Sequence, residues 1–298
     1  MDWASLTIAI VGGDRREQEI ARLAVASGMR VRVCGFPQPD GGIGGVKLAQ
    51  DAVSALSGAQ IALFPLPGMT GDNLYAPAAP APISINEAVL SGLTGKGLII
   101  SGAVGPNLQA IADRLGLTTH AYEHDRASRV LRAPAIAEAA IARIVENTDF
   151  SIHGSRIGLL GHGVIGATLA RALRSLGAHV TVVARDPVQR AEAVVAGIRA
   201  IDFPTLPELL PQLDILISTV PHRLIGAEAL RLLPAESVAI DLASPPGGID
   251  HDAAKAVGRR SVWARGLGAF SPVTVGRAQW AAIARIIEQS RTTEGPQH

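Results

Sequence analysis

The sequence predicts an α/β protein of two doubly wound domains, each built on a parallel sheet and joined by a long helix. Three observations carry this expectation. Short β-like runs alternate with amphipathic stretches of ten to fifteen residues, the pattern of successive βαβ units. A glycine-rich hexapeptide, Gly161-His162-Gly163-Val164-Ile165-Gly166, follows one β run directly and opens a helical stretch. The first half also echoes in the second: sixteen residues separate Gly12 from Gly28, and sixteen separate Gly161 from Gly177. At 298 residues the chain is long enough for two domains, each with its own core.

In chain order, the first half reads as strands at Thr7–Val11, Arg30–Cys34, Ile61–Leu66, Gly97–Ser101 and Thr118–Tyr122. Helices at Arg15–Ala26, Val46–Leu56 and Asn107–Leu115 fall between them, and 41–45 and 75–82 are loops. Arg126–Glu146 reads as a helix of several turns, broken near Pro134, because proline removes a backbone donor and crowds the preceding turn. The second half gives strands at Ile157–Leu160, Val180–Ala184, Ile215–Thr219, Val238–Asp241 and Ser261–Ala264, then a last helix at Val275–Ser290. The polar tail 291–298 is expected to fray. Domains are therefore expected over 1–125 and 151–272, with a linking helix over 126–150 and a returning helix and tail over 273–298.

Composition excludes several functions. The chain has 27 basic and 26 acidic residues, without the basic excess of a nucleic-acid binder. Aromatic residues make up 3%, too few for a base-stacking platform. Only Lys47, Lys96 and Lys255 are lysines, so recognition of carboxylate or phosphate by arginine outweighs Schiff-base chemistry. One cysteine, Cys34, forms no disulfide within the chain and suits a reducing compartment, the cytoplasm. No apolar run is long enough to span a membrane, and Met1-Asp2-Trp3 lacks the basic start of a signal peptide. No His/Cys/Asp/Glu cluster has metal-ligand spacing, so no metal is expected.

The hexapeptide assigns a mechanical task to each glycine. Gly161 makes the tight turn, Gly163 lets a pyrophosphate approach the backbone, and Gly166 packs helix on strand, a Rossmann-like arrangement. His162, Val164 and Ile165 complete the loop and helix start, where free N–H groups face an anion; His162 is expected to point to solvent. At the end of the next strand, after Ala184, an acid would hold the ribose of NAD, but Arg185 stands there, followed by Asp186 and Arg190. A guanidinium suits a 2′-phosphate, which favours NADP and leaves NAD as the alternative. Asp186 reads as the cap of the helix starting at Pro187. Later strand ends bring Thr219, Val220 and Pro221 to the ribose, and Asp241, Leu242, Ala243 and Ser244 to the nicotinamide.

Gly12-Gly13-Asp14-Arg15-Arg16 is a poorer dinucleotide turn. It lacks the third glycine, and Asp14 would repel pyrophosphate while serving well as an N-cap with Glu17 three residues on. A helix start beside two arginines suits a substrate carboxylate instead, making Gly13, Asp14, Arg15 and Arg16 candidate substrate contacts.

Several stretches together resemble the dipicolinate synthase A subunit. They are Ile10-Val11-Gly12-Gly13-Asp14-Arg15, the glycine hexapeptide with Val182-Val183-Ala184-Arg185, and 240–250, which reads IDLASPPGGID. The resemblance runs through nearly the whole chain in order. It implies a Rossmann-like first domain, an NAD(P)-binding second one, and oxidation of dihydrodipicolinate to pyridine-2,6-dicarboxylate beside a flavoprotein-like second subunit. The chain departs from the family pattern at 132–139 and 264–276.

The chemistry implied is hydride transfer between a nicotinamide and a small cyclic dicarboxylate, in which aromatisation supplies the driving force. Two carboxylates call for Arg15, Arg16 and Arg265, with Ser244 and the amides of Gly247 and Gly248. His222, just past a strand end, is the candidate base, and Asp14 a second titratable candidate. Closure of the two domains would make 126–146 and 275–290 the hinge elements. A homo-oligomer is expected. Two other readings stay open: another NADP-linked enzyme of this architecture, such as a 2-hydroxy-acid dehydrogenase or imine reductase, and a cofactor-binding subunit without catalysis of its own.

Overall fold

Strand β1 (Thr7–Val11) is buried at all of its positions, as a strand covered on both faces must be. In the computed structural model, which describes residues 2–94 and 96–292, it lies inside a six-stranded parallel sheet. Around it run α1 (Arg15–Ala26), β2 (Arg30–Cys34), β3 (Val46–Leu48), α2 (Ala52–Leu56) and β4 (Ile61–Phe64). A small hairpin of β5 (Met69–Thr70) and β6 (Asn73–Leu74) follows, then α3 (Glu87–Leu90), β7 (Leu98–Ser101), α4 (Pro106–Leu115), β8 (Thr118–Ala121) and α5 (Arg126–Glu146). The sheet order is β3-β2-β1-β4-β7-β8. Alternation along β1 feeds two cores: Ile8 and Ile10 pack with Ile20 of α1, while Ala9 and Val11 pack with Leu56 and Phe64.

The second half repeats the plan with β9 (Arg156–Leu160), α6 (Val164–Ser175), β10 (His179–Val183), α7 (Pro187–Val195), β11 (Arg199–Ile201) and α8 (Leu206–Leu209). It continues through β12 (Ile215–Ser218), α9 (Ala227–Leu232), β13 (Val238–Asp241), α10 (His251–Ala256), β14 (Arg260–Trp263) and α11 (Pro272–Thr292). Its sheet order, β11-β10-β9-β12-β13-β14, is the first order over again. Ile157 and Leu159 pack with Leu169 and Leu173 of α6, and Leu160 with Leu210 and Leu216 on the other face.

The chain divides into one unit of residues 2–131 with 272–292 and another of residues 132–271. The division falls inside α5, after Leu131, where a separate linking segment over 126–150 was expected. Pro134 does not break this helix, which runs unbroken from Arg126 to Glu146. α11 belongs to the first unit and starts at Pro272, ahead of the expected Val275. It lies along α1 so closely that a Cβ on Gly276 would sit 2.8 Å from the Arg16 carbonyl oxygen. Ile283 and Ile287 share a core with Ile20 and Ala24, and Arg277 reaches Glu19 at 2.8 Å.

Three further expectations are corrected. Val46–Leu56 is not one helix: Val46 and Leu48 pair with Val31 and Val33 as strand β3, and α2 begins only after Asp51, which caps it reciprocally with Ser54. The strand β11 escaped the sequence reading because three residues are too few for an alternation signal. Of the tail, Arg291 and Thr292 continue α11, and 293–298 lie outside the described residues.

Candidate active site

At the end of β9 the chain turns at Gly161, in the left-handed region at φ +90°, and its N–H donates to the Val183 carbonyl at 2.9 Å. A Cβ there would stand 2.6 Å from Thr219 Oγ1. Gly163 is the N-cap of α6 and supplies no side chain to its first turn; a Cβ added to it would meet nothing within 4 Å. A Cβ on Gly166 would instead run into the Gly161 carbonyl. One glycine is thus demanded by the turn, one by helix packing, and the third leaves an open approach to uncapped N–H groups. Those are the features a pyrophosphate needs. Val164 and Ile165, both half-buried, start the helix. His162 corrects its expectation: it is buried, its N–H donates to Gln189 Oε1 at 3.3 Å, and burial pulls its imidazole pKa below the ordinary value.

Past β10, Ala184 is buried and Arg185 is exposed, with no side-chain partner among the described residues. Asp186 caps α7, accepting from Val188 N–H at 2.8 Å. Arg190 is folded back, donating to the carbonyls of Ala184 and Arg185 at 2.8 and 2.7 Å. With Nη1 so committed it braces the strand end beside Arg185.

Past β12, Thr219 donates to the Leu160 carbonyl at 2.9 Å, closing β12 onto β9. Val220 is half-buried and Pro221 exposed. His222 is exposed; its backbone N–H is held by the Val220 carbonyl at 2.8 Å, and its ring has no partner among the described residues.

Asp241, the last residue of β13, has no exposed surface. Its Oδ1 accepts from Ala243 N–H at 3.0 Å, and its Oδ2 from Gly248 and Ile249 at 2.7 and 3.0 Å. The carboxylate therefore shapes the loop after β13 from inside and is not offered to a cofactor. Gly247 is likewise committed, donating to the Ser244 carbonyl at 2.9 Å. The expectation that the Gly247 and Gly248 amides serve a substrate carboxylate fails because both are already bonded. Leu242 and the exposed Ser244 remain on the loop, and Arg223 ties the loop down through Pro246 O and Asp250, at 3.3 and 3.2 Å.

His251 and Trp263 were missed by sequence reasoning. The His251 ring stacks on Trp263 with centroids 5.4 Å apart, places Nε2 at 3.8 Å from Asp241 Oδ2, and meets Ser261 Oγ at 2.9 Å through Nδ1. Trp263 donates to the Ala243 carbonyl at 2.9 Å and carries the Arg265 guanidinium over its ring at 5.0 Å. The available signal was the register: Trp263 ends the strand beside Asp241, its direct partner.

The first unit's turn has a different character. Gly12 and Gly13 both have positive φ, and Asp14 caps α1. Arg16 grips the Asp14 carboxylate with two bonds, Nε to Oδ1 at 2.9 Å and Nη2 to Oδ2 at 2.8 Å, and also donates to Leu66 O at 3.0 Å. Tyr75 adds a contact to Asp14 Oδ2 at 3.4 Å. Burial alone would raise the Asp14 pKa, but the bidentate Arg16 holds it below the ordinary range and is itself pushed up. Asp14 is therefore a poor base, and Arg16 has its charge already matched; both corrections follow from this one pair. Glu17 accepts from Asp14 N–H at 2.6 Å against Gly13, and burial pushes its carboxyl up to about 7. Arg15 alone of this turn's charged groups is exposed, with no partner among the described residues.

Residues 142–253 match the family described as D-isomer specific 2-hydroxyacid dehydrogenase, NAD binding domain. With the uncapped glycine turn at the point where the strand order reverses, this defines the class: the protein is an NAD(P)-dependent oxidoreductase. Residues 7–122 match the family of the N-terminal domain of the dipicolinate synthase A subunit. The dipicolinate synthase A subunit of Bacillus subtilis (strain 168) is 29% identical over 294 residues, 97% of this chain and 98% of its own. The crystal structure of the same subunit from Bacillus halodurans superposes with a TM-score of 0.86 at 25% identity, covering 94% of this chain and 97% of that one. The chain is thus similar to dipicolinate synthase A subunits over nearly its whole length. A D-lactate dehydrogenase from Sporolactobacillus shares the fold, with a TM-score of 0.68 at 18% identity over 98% of both chains. Among the described residues, no helix is long and apolar enough to cross a membrane.

Proposed function

We propose that this enzyme oxidises dihydrodipicolinate, or a close cyclic dicarboxylate, to the aromatic pyridine dicarboxylate with NADP as its cofactor. The observation that carries the reading is Arg185, exposed and without a side-chain partner among the described residues at the end of β10, beside the uncapped turn of Gly161–Gly166. A guanidinium there is matched in charge and geometry to a 2′-phosphate, where an acid would repel it. When bound, the nicotinamide supplies the hydride acceptor. The chain's part is to bind and orient the substrate and to take the second hydrogen as a proton, a role assigned to His222 at the end of β12. Arg265 is assigned to a substrate carboxylate, since it is an exposed cation without an acidic partner among the described residues. Its relatives carry the name of one subunit of a synthase, which supports work beside a second one. The single, buried Cys34 thiol supports a cytoplasmic setting.

Steady-state kinetics with dihydrodipicolinate tests the reading, run with NADP and NAD in turn. Wild type is expected to favour NADP by tenfold or more in kcat/KM, and Arg185→Asp to lose that preference while keeping turnover with NAD. Equal use of the two cofactors by the wild type would remove the 2′-phosphate assignment.

A further inference from the structure

The second unit has a second concave feature, at the edge of its sheet away from the glycine turn. A cavity of about 400 Å³ opens where β9, β10 and β11 begin. Three of its lining residues are the first residues of those strands: Arg156, His179 and Arg199. The register sets Arg156 beside His179 and Arg199 beside Thr181, two residues along β10, so these side chains rise from one face of the sheet. Arg174, near the end of α6, joins them with Nη1 on the Ala196 carbonyl at 2.7 Å. Ile198 and Leu213 line the same cavity with apolar surface.

The charge here is not balanced. Among the described residues no acidic one lines the cavity, and Asp214 stands 3.7 Å from Arg156 while accepting that residue's backbone N–H. Arg199 has neither a hydrogen bond nor an ion pair among the described residues. Arg174 and Arg199 thus bring guanidinium groups without an acidic partner among the described residues to an apolar hollow, and guanidinium is the side chain best shaped to hold a carboxylate or phosphate. The cavity falls within the size range of small-molecule sites. The five residues of β9 separate Arg156 from the glycine turn, a span of roughly 16 Å.

We infer that this groove binds a small organic dianion: a ring-sized apolar body carrying two carboxylates or a phosphate, held by Arg156, Arg174 and Arg199. The site is separate from the nicotinamide site, so ligand and cofactor bind together.

Isothermal titration of the full chain, saturated with its nicotinamide dinucleotide, tests this with benzene-1,3-dicarboxylate, AMP and inorganic phosphate as probes. Saturable binding of either organic probe is expected, with inorganic phosphate at least tenfold weaker for lack of an apolar body. Binding of the dicarboxylate alone identifies a carboxylate ligand, and binding of AMP alone a phosphate ester. Arg199→Gln and Arg156→Gln should each weaken binding tenfold or more, while the cofactor affinity of both variants stays at the wild-type value and reports an intact fold. Three results would overturn the inference: no binding of either organic probe at millimolar concentration, inorganic phosphate binding as tightly as they do, or affinities indifferent to both substitutions.

Discussion

Gly163 and Gly166 sit one helical turn apart and demand opposite experiments. At Gly163 the backbone has φ −73°, and a Cβ would meet nothing within 4 Å. Gly163→Val should therefore leave thermal unfolding close to wild type and abolish nicotinamide-dinucleotide binding, read by fluorescence or calorimetric titration. Gly166→Ala puts its methyl into the Gly161 carbonyl, and overpacking of that kind costs about 1–3 kcal/mol. Its unfolding midpoint in urea should fall accordingly. Glu17 carries a different signature. Its carboxyl is raised from an ordinary 4.5 to about 7, so the folded chain holds a proton that the unfolded chain has lost across that window. Stability is then full below about pH 4.5 as far as this group is concerned, and declines as pH rises toward 7, with a slope of up to about 1.4 kcal/mol per pH unit. Asp14, held low by Arg16, works in the other sense and loses its contribution only as the pH falls. Glu17→Gln keeps an acceptor for Asp14 N–H and removes the titration. Urea unfolding at pH 5 and 8 should show a smaller loss between the two pH values than wild type.

The loop after β13 shows how an element is held by one side chain. Asp241 satisfies the N–H groups of Ala243, Gly248 and Ile249, all of them in the interior. Asp241→Ala orphans these donors, and at about 1–3 kcal/mol for each unsatisfied group the loss should be about 3 kcal/mol or more in urea unfolding. The sequence flagged Asp241 by its place at a strand end, but the inward turn of its carboxylate depends on a chain reversal at Pro245–Gly248 that no spacing reveals. The same limit hid the His251–Trp263 stack, which is fixed by tertiary packing. Where physics is local, legibility was high. Thr7–Val11 is apolar from Ile8 onward and bounded by a glycine turn, and α1 starts at Arg15 because Asp14 and Glu17 cap each other; both sets of bounds read off the chain unchanged. The segment 46–56 misled because its helical composition outvoted a three-residue strand and a capping Asp51 in its middle.

At the scale of the molecule, the two sheets share one strand order, and the spacing from Gly12 to Gly28 and from Gly161 to Gly177 is the sequence trace of it. The units differ in how they are written along the chain. The second is continuous, whereas the first is closed by α11, which buries Trp280, Ile283 and Ile287 with Ile20 and Ala24 of α1. A chain truncated after Ser271 should keep nicotinamide-dinucleotide binding in titration while losing the first unit's cooperative unfolding, because the apolar side of α1 is left bare. Equal loss from both units would contradict that assignment of α11.

This arrangement reverses the usual order of events on the ribosome. Domains ordinarily fold as they emerge, the N-terminal one first. Here residues 132–271 are synthesised, glycine turn included, before the 21 residues of α11 have been translated. The nascent chain thus carries a finished cofactor-binding unit beside a first unit whose helix α1 lacks its cover until α11 arrives. The unit begun first is the one completed second.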